Sequence, residues 1–194
     1  MNESAANGTP SDAPMSAAKK PHPELLEGEM LDARKGDVLV GRSVTINRPR
    51  RELYEFWRNF ANLPRFMHNI RRVVVEDDTR SHWTVAAPAG KTVEWDSRLT
   101  MDEPGHLIAW SSEEGASLRN SGRVEFRDSP EGRGTVVTVT LVYDAPGGAL
   151  GQAIAKLFHR EPKIQARQDL RRFKQLMETG EVSTAAPPDA APRA

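Results

Sequence analysis

The chain has 194 residues, with 27 basic and 27 acidic side chains and no cysteine. This length suits one ordinary domain flanked by tails, and the zero formal net charge disfavours a general nucleic-acid-binding protein, which is normally strongly basic. The lack of cysteine excludes disulfides, thiol nucleophiles and thiolate metal sites.

Both ends of the chain are expected to lie outside the folded unit. Residues 1–23 contain five alanines and four prolines, and residues 180–194 contain five alanines and three prolines. Such compositions cannot bury enough apolar surface to offset the entropy lost on ordering, so both are predicted to be disordered. Residues 24–37 carry four large apolar side chains and predict at most a marginal helix, docked loosely or not at all. The folded unit then spans 38–179.

The folded unit is predicted to begin with one strand and two short helices. Alternating apolar residues predict the strand over 38–46. Pro49 suits the first turn of a helix, and apolar residues continue at helical spacing over 52–60. Pro64 breaks that pattern, and the apolar side chains within 66–70 predict a second short helix.

Six further strands are predicted, because apolar residues alternate with polar ones and turn residues separate the runs. Their marker positions are Val73 and Val75; Trp83, Val85 and Ala87; Val93, Trp95, Ser97, Leu99 and Met101; Ile108, Trp110 and Ser112; Val124 and Phe126; and Val137, Val139, Leu141 and Tyr143. The short connections between these runs predict an antiparallel sheet.

After the glycines at positions 147 and 148 the apolar period changes to 3.6, which predicts a long C-terminal helix. Its apolar face contains Leu150, Ala153, Ile154, Leu157, Phe158, Ala166, Leu170, Phe173 and Met177. Pro162 is expected to kink or split this helix, and Gly180 is expected to end it. A glycine pair before a helix can admit a phosphate, but without a Gly-Lys-Ser/Thr motif a simple turn is the favoured interpretation.

This order of elements predicts an α+β fold in which a curved seven-stranded antiparallel sheet, with two short helices, wraps around the C-terminal helix. One face of the sheet must be covered, and this helix is the only element large enough to cover it. Such an arrangement leaves a wedge-shaped space between sheet and helix. Whether that space is filled or hollow decides the function.

Several short segments resemble one known family. They are Asn62-Leu63-Pro64-Arg65-Phe66-Met67, Ser81-His82-Trp83, Val93-Glu94-Trp95-Asp96, Ile108-Ala109-Trp110, Gly134-Thr135-Val136-Val137 and Asp169-Leu170-Arg171-Arg172-Phe173-Lys174. With the element order, they resemble the polyketide cyclase/dehydrase and lipid-transport branch of the START-like (SRPBCC) superfamily over residues 38–179. The resemblance implies the helix-grip fold in a bacterial protein. Members bind lipids, quinones, polyketides or hormones, and some are interaction modules, so the fold alone assigns no activity.

The bulky residues on the inward-facing phase are the candidates for a ligand-binding wall. They are Trp57, Phe60, Phe66, Trp83, Trp95, Leu99, Met101, Trp110, Val139, Tyr143, Ile154, Leu157 and Phe158, and the in-phase polar residues Ser97 and Ser112 join them. Tryptophan suits an amphipathic wall because it combines a large apolar surface with an N–H that needs a partner. The alternative interpretation is that these residues simply form the core.

The energy of an empty space bears on both interpretations. A dry void of ~300 Å³, at about 24 cal/mol per Å³, would cost ~7 kcal/mol. This approaches the whole net stability of a small domain, which is ~5–15 kcal/mol. The space is therefore expected to be narrowed by its own rings, hydrated or occupied, and occupancy by an apolar ligand is the functional hypothesis.

No catalytic constellation accompanies the candidate wall. The histidines lack the His-Glu-x-x-His spacing of a metal site, and no Gly-x-Ser-x-Gly turn is present. Glu94 and Asp96 flank Trp95, so on a strand both point away from the wall, and His82 and Arg98 are also out of phase. We therefore expect non-catalytic binding or transport of a small hydrophobic molecule, without metal or cofactor. A polyketide cyclase or dehydratase using the same cavity is the first alternative, and an interaction module with a closed wedge is the second.

The last helix also carries a basic stripe, which consists of Arg160, Lys163, Arg167, Arg171 and Lys174. Such a stripe can touch anionic lipid headgroups or RNA phosphates, but a solvated helix face is the commoner meaning. The sequence has no apolar run of the ~18 residues that a membrane span needs and no signal-peptide segment. We expect a cytoplasmic protein, with transient contact with the inner membrane as a secondary hypothesis. Residues 113–120 are the candidate for a loop that gates the space.

Overall fold

The computed structural model describes residues 38–87, 90–143 and 162–183, and it confirms the predicted α+β helix-grip fold. The strands are β1 (Val38–Ile46), β2 (Ile70–Val75), β3 (Arg80–Ala86), β4 (Thr92–Glu103), β5 (Leu107–Ser112), β6 (Asn120–Asp128) and β7 (Thr135–Tyr143). The helices are α1 (Arg50–Arg58), a 3₁₀ helix (Phe60–Arg65), a 3₁₀ turn (Pro130–Gly132) and α2 (Pro162–Thr179). All strands pair antiparallel in the order β1-β7-β6-β5-β4-β3-β2.

The helices lie against one face of the sheet, which we call the inner face. α2 packs along β1, where Ala166 joins Val40 and Tyr143 in a small buried cluster. Further along the helix, Phe173 belongs to the main core, and the Lys174 ammonium donates to the Thr45 carbonyl at 2.8 Å. Residues 1–37 and 184–194 of the predicted tails lie outside the described residues, as does the predicted first half of the C-terminal helix, residues 150–161.

The end of α2 is fixed to the chain that follows β1. Arg48 Nε donates to the Met177 carbonyl at 2.7 Å, and the Asn47 backbone N–H donates to the Glu178 carboxylate at 2.7 Å. Gly180 has a φ of +82° and its N–H donates to the Leu176 carbonyl at 2.8 Å, which confirms it as the residue that ends the helix. These bonds fix the C-terminal end of α2 to the segment that follows β1.

The second short helix is not where the sequence predicted it. The 3₁₀ helix Phe60–Arg65 contains Pro64, and the Asn59 side chain caps it by accepting from the Ala61 N–H at 3.2 Å. The predicted segment 66–70 is a turn that leads into β2. Apolar periodicity over only five residues does not distinguish a helix from a turn that buries one side chain.

A β-bulge in β4 reverses the predicted orientation of Met101. Leu99 pairs with Trp110 and Met101 pairs with Ala109, so Thr100 is one extra residue in the ladder. Paired residues face the same side of a sheet, and Ala109 lies on the outer face. The strict alternation that placed Met101 in the ligand-binding wall therefore fails beyond Leu99, and Met101 faces outward.

Candidate functional site

One half of the inner face is filled by aromatic rings. Trp57 and Phe66 are fully buried, with their ring centroids 5.2 Å apart. Phe173 of α2 contacts both of them at 4.9 and 4.8 Å, and its ring is nearly perpendicular to Trp57 at 89°. Phe126 of β6 also meets Trp57 in a T-shaped contact. The structure thus places two residues of the predicted wall, Trp57 and Phe66, in a packed region that we call the filled half.

Three indoles lie nearly parallel in the other half of the inner face. Trp83 is 6.0 Å from Trp95 with 16° between the planes, and 6.2 Å from Trp110 with 18° between the planes. Phe60 meets Trp83 and Trp110 edge-on at 5.5 and 5.7 Å. We call Trp83, Trp95 and Trp110 the indole stack. Phe60 and the indole stack are four residues of the predicted wall, and the structure brings them together as expected.

The indole stack depends on a glycine opposite Trp110. Gly122 is the cross-strand partner of Trp110 on β6. A Cβ at Gly122 would lie 2.5 Å from Trp110 Cζ2 and 2.8 Å from Leu141 Cδ2, distances that no ordinary packing allows. The missing side chain therefore gives the indole of Trp110 its place across the sheet.

A row of polar residues borders the indole stack at one end of the sheet. Ser97 pairs with Ser112, whose hydroxyl accepts from the Asn120 N–H at 3.0 Å, and Asn120 in turn pairs with Tyr143. Ser97 donates to the Ser111 carbonyl at 3.0 Å. Burial raises the pKa of Tyr143 to about 12, so its phenol is neutral at physiological pH. We call Ser97, Ser112, Asn120 and Tyr143 the polar row.

Two buried N–H donors near the stack and the row have no partner among the described residues. Trp95 Nε1 and Asn120 Nδ2 are both inaccessible to solvent, and neither makes a hydrogen bond within the described part of the chain. Trp83 differs, because its Nε1 donates to the Ser81 hydroxyl at 2.9 Å. Trp57 Nε1 in the filled half is also unpartnered. An unpaired buried donor costs about 1–3 kcal/mol, so each one needs an explanation.

The remaining residues of the predicted wall fall into two groups. Leu99 and Ser112 are half-buried, and Val139 is buried in the core. Ile154, Leu157 and Phe158 lie outside the described residues, so their place in the wall stays a prediction. Asn120 and Gly122 were not predicted as site residues, although their even spacing before Val124 on β6 puts them on the inner face.

The predicted gating loop is tied to the sheet at several points. Ser117 donates to the Glu94 carbonyl at 2.6 Å, and the Glu113 carboxylate accepts from Arg80 Nε at 2.9 Å. Leu118 is buried and belongs to the core. That this loop gates the space stays a prediction.

Four charged or polar residues of β3 and β4 point away from the inner face, as expected, namely His82, Glu94, Asp96 and Arg98. His82 Nδ1 lies 2.7 Å from Asp96, and His82 Nε2 lies 3.8 Å from Glu94. The residues that the structure describes contain no group of three or more His, Asp or Glu side chains that could hold a metal ion. His82, Glu94 and Asp96 therefore form a cluster on the surface, in which His82 contacts both carboxylates.

A groove of about 340 Å³ opens between α1 and the end of β2, and it is lined by Tyr54, Glu55, Arg58, Asn59 and Val75. The Tyr54 hydroxyl donates to Asp102, and Arg58 donates to the same carboxylate at 2.6 Å and to the Asp78 carbonyl at 2.7 Å. Burial and the hydrogen bond to Asp102 raise the pKa of Tyr54 to about 12. Because Tyr54 and Arg58 already bond to Asp102 and Asp78, this groove is a weaker candidate site.

One carboxyl group is buried on α2. Asp169 accepts from Gln165 Nε2 at 2.8 Å and from Arg172 Nη1 at 3.1 Å. Burial raises the pKa of Asp169 to about 6, against the opposing effects of these two donors. Burial also lowers the pKa of the neighbouring His68, and the Arg172 charge adds to that effect. Asp169 is therefore close to its titration point near neutral pH.

The described part of the basic stripe is only partly free. Arg167 and Arg171 are exposed on α2, whereas Lys174 is bonded to the Thr45 carbonyl. Arg160 and the side chain of Lys163 lie outside the described residues. No helix in the described ranges is long and apolar enough to cross a membrane.

Comparison with known proteins gives one family. A family model for polyketide cyclase/dehydrase and lipid transport matches residues 46–171. The crystal structure of DR_A0006 from Deinococcus radiodurans is 46% identical, covers 74% of this chain and 99% of its own, and has a TM-score of 0.61. No curated protein matches the chain significantly.

Two less similar solved structures show the fold alone. TTHA0849 from Thermus thermophilus is 23% identical, with coverage of 74% of this chain and 99% of its own and a TM-score of 0.58. The Zhui aromatase/cyclase from Streptomyces sp. R1128 is 15% identical, with coverage of 76% and 99% and a TM-score of 0.55.

Proposed function

Since the chain belongs to the polyketide cyclase/dehydrase and lipid transport family, we propose that it binds and carries a small hydrophobic molecule without transforming it. The proposed site is the half of the inner face that holds the indole stack and the polar row. The observation that carries the proposal is the pair of buried, unpartnered donors, Trp95 Nε1 and Asn120 Nδ2.

The geometry of the rings supports a role for Trp95 in ligand binding. An indole N–H lies in the plane of its ring, and the Trp95 ring is nearly parallel to that of Trp83. The donor therefore does not point at the face of its neighbour. An acceptor oxygen on a ligand would satisfy it and would recover about 1–3 kcal/mol of desolvation cost.

The chemistry of the site favours a neutral ligand with an acceptor oxygen. The described inner-face residues around the indole stack are apolar, hydroxyl or amide side chains, namely Val93, Ser97, Leu99, Ser112, Asn120, Leu141 and Tyr143. A carboxylate would need a cation to offset the loss of its hydration. A flat apolar body with a ketone, ester or quinone oxygen fits these groups better.

The polar groups of the site favour carriage over chemistry. General acid–base catalysis works best when a group has a pKa near the operating pH. The Tyr143 phenol has a pKa of about 12, and the nearby carboxylates Glu94 and Asp96 face the opposite side of the sheet. A cyclase or dehydratase activity in the same cavity is the competing function, and the similarity to the Zhui aromatase/cyclase, at 15% identity, extends only to the fold.

The test combines recovery and titration. Organic-solvent extraction of the purified protein followed by mass spectrometry should recover a neutral apolar compound in stoichiometric amount. Titration with 2-methyl-1,4-naphthoquinone should quench the tryptophan fluorescence saturably, and the quinone should be recovered unchanged. Failure to recover or titrate any apolar compound would refute the carrier, and a chemically altered polyketide-like substrate would favour the enzyme.

We also propose that the exposed part of the basic stripe lets the carrier touch anionic membranes. Arg167 and Arg171 lie one helical turn apart on α2 and are both exposed. Each basic residue near an anionic surface contributes about 1 kcal/mol. The double change Arg167→Glu and Arg171→Glu should abolish flotation with phosphatidylglycerol vesicles, whereas Arg51→Glu on α1 should not. Equal flotation with pure phosphatidylcholine vesicles would contradict the proposal.

A further inference from the structure

The outer face of the sheet contains a buried patch across β5, β6 and β7. Its residues, which we call the outer patch, are Ala109, Ser121, Arg123, Thr140 and Val142, with exposed fractions of 0%, 5%, 5%, 2% and 1%. Strand pairing puts Ala109, Arg123 and Thr140 in one row with Gly41 of β1. Their phase is opposite to that of the core residues Val124 and Val139 on the same strands.

Within the described ranges, α1, the 3₁₀ helix Phe60–Arg65 and α2 lie on the opposite face, and the 3₁₀ turn Pro130–Gly132 only joins β6 to β7. α1, the 3₁₀ helix and α2 all contribute side chains to the core on the inner face, as Trp57, Leu63 and Phe173 show. Yet Ser121 Oγ, Arg123 Nε and Thr140 Oγ1 are inaccessible to solvent and have no hydrogen-bond partner in residues 38–87, 90–143 and 162–183. On an uncovered sheet face, such polar atoms would be exposed and would form hydrogen bonds with water. The outer patch therefore requires a cover.

We propose that residues 24–37 of this chain cover the outer patch. This segment leads directly into Val38, the first residue of β1. Neighbouring strands are about 4.8 Å apart and residues rise about 3.3 Å along a strand. Arg123, two strands across and three residues along, is thus about 14 Å from Val38, a distance that about five residues can span.

The composition of this segment complements the outer patch. It contains five acidic and two basic side chains, and four large apolar residues, Leu25, Leu26, Met30 and Leu31. The Arg123 guanidinium is paired through Nη2 with Glu125 at 2.7 Å, and Glu125 is shared with Arg127 at 3.1 Å. A second carboxylate from the segment would complete the pairing of Arg123 and satisfy its free Nε.

The other stretches outside the described residues fit the patch less well. Residues 184–194 contain no large apolar side chain. Residues 144–161 connect Tyr143 to the start of α2, and both of these ends belong to the inner face, where Tyr143 and Ala166 share a cluster. The segment before β1 is thus the occupant that both connectivity and chemistry select.

The test uses the full-length chain, whose lack of cysteine makes a single introduced thiol unambiguous. Thr140→Cys places a thiol in the outer patch. Thr138→Cys is the matched control, because Thr138 lies on the same face two residues away and its hydroxyl is exposed, with a 2.9 Å bond to Ser43. We expect 5,5′-dithiobis(2-nitrobenzoate) to modify Thr140→Cys at least about tenfold more slowly than Thr138→Cys.

A second change identifies the cover. The double substitution Leu26→Glu and Leu31→Glu should accelerate labelling of Thr140→Cys at least about tenfold and leave Thr138→Cys unchanged. Ala13→Glu with Ala17→Glu, placed earlier in the chain, should leave both rates unchanged. Tryptophan fluorescence of the buried indoles reports that each variant keeps its fold, and Ser121→Cys replaces Thr140→Cys if the latter does not fold.

Three results would overturn the proposal. Equal labelling of Thr140→Cys and Thr138→Cys in the unsubstituted background would show that the patch is open. Protection that survives the Leu26 and Leu31 substitutions would assign the cover to other residues. Protection that falls on dilution would assign it to a second copy of the chain. None of these outcomes depends on ligand binding, so the carrier proposal is tested separately.

Discussion

The two halves of the inner face are both built from aromatic side chains, yet they are built differently. In the filled half, Trp57, Phe66 and Phe173 cross one another at 36–89° with centroids 4.8–5.2 Å apart. In the indole stack, the planes of Trp83 and Trp95 differ by only 16° and their centroids are 6.0 Å apart.

This difference supports the proposal that the filled half is a structural core and that the indole stack is a binding surface. Crossed rings place edges against faces and use up the face area of each ring. A parallel stack leaves the outer face of its last ring available to another flat molecule. The filled half is therefore expected to govern stability, and the stack to govern ligand affinity.

The largest expected effect is the loss of stability when the packing of the filled half is disrupted. Trp57→Ala should lower the free energy of unfolding by about 3–5 kcal/mol, because a fully buried ring is lost from a packed region. Trp95→Ala should cost less than about half of that value, since one side of this ring faces the proposed site. Urea denaturation of both variants measures the difference. Equal losses would erase the distinction between the two halves.

A smaller effect is expected from the titration of Asp169, which makes stability depend on pH. Asp169 lies on α2 between Ala166, which is beside the polar row, and Phe173, which is in the filled half. The folded-state pKa of Asp169, about 6, is above its ordinary value of 3.8. Its stabilising contribution is thus complete below about pH 4 and is lost as the pH rises through about 6. Asp169→Asn should therefore gain on the order of 2 kcal/mol relative to the native chain between pH 4 and pH 7.

The exposed Asp77 is the control for this pH dependence. Backbone N–H groups of Thr79 and Arg80 hold the pKa of Asp77 below its ordinary value. Its stabilising contribution is present above its unfolded-state pKa and is lost as the pH falls. Asp77→Asn should therefore lose stability relative to the native chain as the pH rises, opposite to Asp169→Asn. Urea midpoints are measured relative to the native chain, at pH 4 and 7 for Asp169→Asn and on either side of pH 3.8 for Asp77→Asn. Differences from the native chain that change in the same direction with rising pH in both variants would contradict this assignment.

Gly122→Ala tests the space that the indole stack needs. The added Cβ would meet Trp110 at 2.5 Å, so the indole must move, at a cost of about 1–3 kcal/mol. Near-ultraviolet circular dichroism should also change, because it reports the arrangement of the stacked rings. Gly41→Ala on β1 is the control, since its Cβ would meet nothing within 4 Å. A Gly122→Ala spectrum identical to that of the native protein would show that Trp110 is not held there.

The smallest expected effect concerns one hydrogen bond. Trp95→Phe keeps an aromatic ring but removes the unpartnered N–H, so it should weaken naphthoquinone binding about fivefold to tenfold, equivalent to about 1 kcal/mol. Trp57→Phe removes an equally unpartnered N–H from the filled half and should leave the affinity unchanged. Fluorescence titration measures both. If Trp57→Phe weakens binding as much as Trp95→Phe does, the ligand site is not confined to the stack.

Much of the fold could be predicted from the sequence, because each strand buries one face and apolar residues therefore alternate with polar ones along it. The placement of Trp83, Trp95 and Trp110 on the inner face is confirmed by strand pairing. Their parallel arrangement could not be predicted, since it depends on which residues face each other across strands. Asn120 and Gly122 were not predicted as site residues, because a pattern of apolar residues identifies neither a polar residue nor a glycine.

The bulge at Thr100 divides β4 into two segments of opposite phase. Before it, the strand presents Trp95 and Ser97 to the inner face; after it, the strand presents Asp102, which holds Tyr54 and Arg58. If the same residues alternated regularly, without the bulge, the Met101 thioether would replace the Asp102 carboxylate beneath α1, while the tryptophans would stay in place. One irregular residue thus allows a single strand to carry both the stacked indoles and the carboxylate that binds Tyr54 and Arg58.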